Sequence, residues 1–144
     1  MASKAATDIL VAYLTANWTT TPIFDANEEG LVPADGSAFL TYEFPVADEE
    51  QITLGAVGAR IFRETGAMRV TLSLPAGDGL SSTLMTPFET LRALFRGTQT
   101  GTATSEHGAV NLWAPTPPII DDATDEKAYY EMHFAVPFYM DVLG

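Results

Sequence analysis

The sequence contains no cysteine. That absence rules out a disulfide framework, a thiolate metal site and a cysteine nucleophile, so zinc ribbons and thiol enzymes are excluded, and it suits a reducing compartment. No window reaches the ~20 consecutive apolar residues of a membrane span. "MASKAATDIL" lacks the basic start and apolar run of a secretory signal, so the expected origin is cytoplasmic, with no membrane partner. Positive charge is scarce too: 7 Lys and Arg stand against 19 Asp and Glu, a formal net charge of −12. Sequence-independent binding to nucleic acid depends on Lys and Arg displacing counterions from phosphate, so this chain is expected to repel DNA.

What remains is globular. At 144 residues, 47% hydrophobic and 18% charged, the chain fits a single domain, 1–144, with one sizeable core. The bases are unevenly placed: Arg60, Arg63, Arg69, Arg92 and Arg96 fall between positions 60 and 96, and only Lys4 and Lys127 lie outside. A near-neutral waist between two acidic ends is a pattern that serves self-association.

Along the chain, Ile9, Leu10, Tyr13 and Leu14 recur at helical spacing and predict a helix over 5–17, with Ser3 or Thr7 as cap and Asp8 favourable in the first turn. Trp18 continues that face as a plug at the helix end. Thr20 to Phe24 is β-prone around Pro22, which suits an edge or a strand start. "DANEEGLVPADGS" reads as a turn-rich acidic loop, "AFLTYEFPV" as a half-buried strand, and "ADEEQ" as a second acidic loop. The stretch from Gln51 to Gly79 predicts a short strand, a flexible Gly55/Gly58 connection, and a hairpin whose two arms meet at Glu64-Thr65-Gly66-Ala67. Met68, Val70, Leu72 and Leu74 give its second arm a core side. Ile61 and Phe62 put apolar groups on both faces of the first arm, which suggests contact with something besides its own core.

"TPFETLRALFRG" has helix grammar: Thr86 as cap, Pro87 at the first position, Glu89 closing a capping box, and Gly97 as stop. Its buried stripe is Phe88, Leu91 and Phe95, extended by Leu84 and Leu80 if the preceding segment is also helical, with Pro87 then a kink or boundary. Arg92 and Arg96 are expected on the exposed side. Two short strands around Glu106-His107-Gly108 predict a second hairpin, and "PTPPIIDDATDEK" a proline loop running into acid. Strict alternation of Tyr130, Met132, Phe134, Val136 and Phe138 marks the strongest strand. The expected fold is α+β: a mainly antiparallel sheet with two helices packed on one face.

Groupings that carry chemistry are few. The histidines, His107 on a hairpin tip and His133 in a strand, have no serine elbow or cysteine to serve. Glu131 and His133 share a strand face, a pattern read as polar surface rather than acid–base machinery. The paired acids Glu28-Glu29, Glu49-Glu50 and Asp121-Asp122, with Asp48, lie in expected loops without the spaced ligands of a calcium loop. They read as a solvated or shared negative surface. "GAVGAR", Gly55 to Arg60, lacks the Walker lysine and a following helix. No catalytic, cofactor-binding or metal-binding residues are assigned.

Taken in order, the helix ending in "NWTTTPI", the acidic turn before "AFLTYEF", "LGAVGARIFRETGAMRVTLSLPAGDG", "LRALFRGT" and "YYEMHFAVPFYMD" span nearly the whole chain. Their order and spacing resemble the tail-terminator-like (tail-completion) proteins of long-tailed bacteriophages. The resemblance implies a non-enzymatic virion protein at the head-proximal end of the tail, assembled in the host cytoplasm. There, six copies would form a ring that caps the tail tube, halts its growth and offers a joining surface to neck proteins. The implied partners are other copies of the chain, the tube protein and a head-completion protein, with DNA passing through the ring unbound.

On that reading Arg60, Phe62, Arg63, Glu64, Arg69, Arg92 and Arg96 are candidate subunit or tube contacts. Glu28, Glu29, Asp48, Glu49, Glu50, Asp121 and Asp122 are candidate channel or surface acids. A tube-forming or neck role is the nearest alternative. A hydrolase or sugar-binding module using Trp18, Trp113, Tyr129 and Glu131 is a more distant one.

Overall fold

In the computed structural model, which describes residues 2–25, 37–75, 83–121 and 129–144, two helices and seven strands follow one another. They are α1 (Lys4–Asn17), β1 (Ile23–Asp25), β2 (Phe39–Gln51), β3 (Ile61–Pro75), α2 (Met85–Leu94), β4 (Gln99–Thr100), β5 (Val110–Leu112), β6 (Ile119–Asp121) and β7 (Tyr129–Leu143). The strands form one sheet in the order β1-β2-β3-β7-β5-β4, and β6 pairs β7 off this path. Every pairing is antiparallel except that of β1 with β2. The fold is the expected α+β arrangement.

The period-two pattern of β3 and β7 decides which face is covered. In register, Met68 stands opposite Val136, Val70 opposite Phe134 and Leu72 opposite Met132, and all six are buried. Both helices close over that face. α1 buries Ala6, Leu10 and Leu14, while α2 buries Phe88 and Leu91, and Phe95 follows at its end. Phe134 is the meeting point, its ring centroid 5.1 Å from that of Phe88 and 6.0 Å from that of Phe95. Trp18, 3% exposed, seals the end of α1 edge-on to Phe88, and its indole N–H donates to Thr21 Oγ1 at 2.9 Å. An indole buries well when its one donor finds a partner.

Several local expectations are corrected. Glu64-Thr65-Gly66-Ala67 is no turn: β3 runs straight through it, and the hairpin is formed instead by β2 and β3 around residues 52–60. Gly66 is in the strand interior because another backbone comes close. A Cβ there would lie 2.7 Å from Val46 O and 3.0 Å from Phe138 Cζ, the close approach that a strand glycine often marks. "ADEEQ" is no loop either. Asp48, Glu49 and Glu50 continue β2 past a register shift between Glu43 and Val46, opposite Thr65, Glu64 and Arg63. The ladder offered by β3 overrides the poor strand propensity of the acids.

In α2 the cap position is Leu84, with no side-chain cap bond. Thr86 and Pro87 fall inside the first turn, where a missing N–H costs nothing. Glu89 does not close a capping box; it accepts from Arg92 Nε at 3.3 Å. Gly97 does follow the helix with φ of 61°. In α1 Ser3 is the cap, accepting from Ala6 N–H at 3.3 Å, and Asp8 lies beyond the first turn, paired with Lys4. The expected second hairpin is present as β4 and β5. Asp121 belongs to β6, opposite Glu131, rather than to a loop. Glu28, Glu29, Leu80 and Asp122 lie outside the described residues.

Replacing Gly66 by Ala forces a methyl group against Val46 O and the Phe138 ring. We expect a loss of about 1–3 kcal/mol in unfolding free energy, the usual range for overpacking, read from urea denaturation. A loss below about 0.5 kcal/mol would show that the β2–β3 contact is loose.

Candidate subunit interface

The sheet ends in two unlike borders. On one side β1 pairs with β2 only from Leu40 to Tyr42. Beyond Tyr42 no strand among the described residues pairs with the outer edge of β2. That stretch contains Pro45, the register shift, and the exposed acids Asp48, Glu49 and Glu50. Proline, irregular pairing and charge are the usual devices that keep an open edge from indiscriminate pairing. On the other side the sheet ends in β4, two residues long, reached from α2 through Arg96 and Gly97. One border is acidic and the other carries an arginine.

The expected interface residues do not gather in one patch. Arg63 and Arg69 lie on the sheet face away from the helices and are already engaged. Arg63 donates from Nε and an Nη nitrogen to the two carboxylate oxygens of Asp141, at 2.8 and 3.0 Å, and its guanidinium stacks 4.6 Å from the Tyr139 ring centroid. Arg69 pairs with Glu43. Arg92 is partly buried against Glu89 and the Pro115 carbonyl, which corrects its expected place on the exposed side. Arg60 donates from Nε to Gly55 O at 2.8 Å. Phe62 is half-buried and packs beside Gly144. Glu64 is buried.

Glu64 has an unusual setting. Its Oε1 accepts the Ser3 N–H at 2.7 Å, at the mouth of α1, while its Oε2 is buried without a hydrogen-bond partner. Directly across the ladder is Glu49. With Ser3, Ala47 and Asp48 the two glutamates line an open concavity of about 470 Å³.

The β2–β3 turn presents a second feature. Leu54 is 97% and Val57 88% exposed, yet the loop is internally tied. Ala59 N–H donates to Ala56 O, Ile61 N–H donates to Thr53 Oγ1, and both Gly58 and Arg60 N–H donate to Gly144 O. A well-bonded turn that holds two aliphatic side chains in water is preorganised for contact. The sequence predicts a flexible connection at Gly55 and Gly58. Only Gly58, with φ of 89°, needs its glycine for conformation.

Among the described concavities, one of about 270 Å³ gathers Ser105, His107 and Asp141. These residues are not wired as a relay: both Asp141 oxygens accept from Arg63, and His107 Nδ1 lies 2.9 Å from its neighbour's carbonyl, Gly108 O. No group of three or more His, Asp or Glu side chains suited to a metal ion occurs among the described residues. Among the described residues no helix is long and apolar enough to cross a membrane. The Glu49–Glu64 pair and the Leu54/Val57 tip are not legible in the sequence for one reason: both depend on the register of β2 against β3, which a turn at Gly66 misplaces.

The Arg63 hydrogen bonds, and secondarily its charge, hold the Asp141 carboxyl below its ordinary value of 3.8 against the opposing effect of burial. A lowered folded value means stabilisation that is present above pH 3.8 and lost as pH falls through the folded value. Asp141→Asn should therefore lower the melting temperature slightly at neutral pH. For a pair this exposed the effect should be small, and the gap from the parent protein should close in strong acid. A gap that widens with acidification would contradict the assignment.

No protein-family model matches the sequence. No curated protein matches it either. Solved structures do: one superposes with a TM-score of 0.57 over 97% of this chain and 92% of its own, at 20% sequence identity. At that identity the likeness shows a shared fold and nothing further.

Proposed function

We propose that the chain is a non-enzymatic structural subunit that joins head-to-tail with copies of itself into a closed ring. The ring is the six-membered tail terminator that the sequence resembles. It caps the phage tail tube at its head-proximal end and offers a joining surface to neck proteins. The observation that supports this best is the pair of unlike sheet borders. Two different surfaces that complement one another generate a heterologous contact, and repeated rotation of such a contact closes a ring. A self-complementary dimer would instead match one surface with itself.

The Leu54/Val57 tip, tied at its base and apolar at its end, fits contact with the next copy or with the tube protein below. Net charge supports the rest of the reading. A chain of −12 assembled around a lumen repels phosphate, so DNA passes without adhering. Asp48 and Glu50, opposite Thr65 and Arg63 on the sheet face away from the helices, are the described acids best placed to contribute.

Native mass spectrometry of the purified chain should give a closed oligomer, six copies on this reading. Particles made without the protein should have overlong tails. A strict monomer at high concentration would overturn the proposal, as would tails of normal length that merely lack heads.

A further inference from the structure

Among the described residues, two charged features toward opposite sides of the sheet are incompletely partnered. The first is the glutamate pair. In an antiparallel ladder, residues directly opposite hold their Cβ atoms roughly 4.5–5.5 Å apart, and like charges so placed repel. Glu49 and Glu64 are such a pair. Glu64 is 3% exposed, and one of its oxygens is buried with nothing to bond. A buried carboxylate oxygen without a donor is costly, more so than a lost neutral hydrogen bond. The Ser3 N–H satisfies the other oxygen, so the concavity in front of the pair asks for a cation with donors.

The second is Arg96. Lys4 is paired with Asp8, Arg63 with Asp141, Arg69 with Glu43 and Arg92 with Glu89, and Arg60 is tied to Gly55 O. Among the described Lys and Arg residues only the side chain of Arg96 makes no hydrogen bond or ion pair; its backbone N–H donates to Ala93 O and its carbonyl accepts from Thr98 Oγ1. It is exposed, between α2 and the β4 border, while Glu49 is on the β2 border. A guanidinium suits the vacant concavity because its fork of N–H donors bonds carboxylates in a plane, and it loses less hydration on burial than an ammonium.

Building on the head-to-tail ring reading, we infer that the Glu49–Glu64 pair is a receptor for the guanidinium of Arg96 from the next copy. The β2 border of one subunit faces the α2–β4 border of its neighbour. Each contact then relieves the repulsion inside one chain by placing a positive charge in front of the two carboxylates. Arg96 is the exposed cation that closes the contact, and Glu49 the carboxylate that meets it at the rim. Glu64 supplies the buried negative charge behind them.

The test is charge exchange in the full chain, read by sedimentation equilibrium, with circular dichroism and melting as controls for folding. Arg96→Glu and Glu49→Arg should each raise the concentration needed for half-assembly by at least about tenfold, the effect of breaking a desolvated charge pair. The double variant should return to within about threefold of the parent. Glu64→Gln removes both the repulsion inside the chain and part of the charge that attracts the guanidinium, so it should weaken assembly while the monomer melts no lower than the parent. Assembly unchanged in Arg96→Glu, or a double variant no better than either single one, overturns the inference while leaving the ring intact. Calcium or magnesium raising the parent's melting temperature, and not that of Glu49→Gln, would assign the site to an inorganic cation and also overturn it. A parent that never assembles removes the ring reading itself, and this inference with it.

Discussion

Fifteen-residue strands β3 and β7 are held against each other along their whole length, from Ile61–Leu143 at one end to Pro75–Tyr129 at the other. Each other strand is attached to one of these two, or to a strand so attached, and both helices lie on the face their alternation creates. The ladder fixes register, and register fixes everything that points away from it. A slip of one residue would turn Phe134, Val136 and Phe138 to the polar face and bring Arg63 and Arg69 beneath the helices.

Among the described residues the margins of the sheet are short of partners. β1, β4, β5 and β6 have two or three residues each, too few to cover β2 along its thirteen. The outer half of β2 is consequently left with proline, a bulge and acids for protection, while the opposite margin has little more than β4. Selection for a self-sufficient monomer would favour covering strands of matched length. Borders of opposite chemistry suit a molecule completed by its neighbours. Charge complementarity of this kind chiefly sets orientation and partner choice, and in the proposed ring the exposed Leu54/Val57 tip would supply apolar area.

Much of this fold is legible in the sequence alone. β7 announced itself through alternating Met132, Phe134, Val136 and Phe138, the second half of β3 through Met68 to Leu74, and the helices through Leu10 and Leu14 and through Phe88, Leu91 and Phe95. These signals are periodic and local. What failed was nonlocal. Gly66 next to polar residues looks like a turn unless one knows that Val46 and Phe138 crowd it from other strands. Asp48 to Gln51 looks like a solvated loop unless β3 is known to run alongside. The parallel pairing of β1 and the docking of β6 on β7 leave no trace in hydrophobic period, since strands of three residues have none. Among the interface candidates, charge located the arginines, but it could not distinguish those already neutralised, Arg63 and Arg69, from Arg96.

The absence of cysteine makes the central claim open to a clean experiment. Gln51→Cys marks the β2 border and Gln99→Cys the β4 border, and oxidation of each variant can be followed on non-reducing gels. If copies join border to border in one direction, the chain with both cysteines gives a ladder of cross-linked species ending in a closed ring, and neither single-cysteine chain cross-links. Dimers from either single-cysteine variant alone would mean that like borders meet, and the head-to-tail account would be wrong.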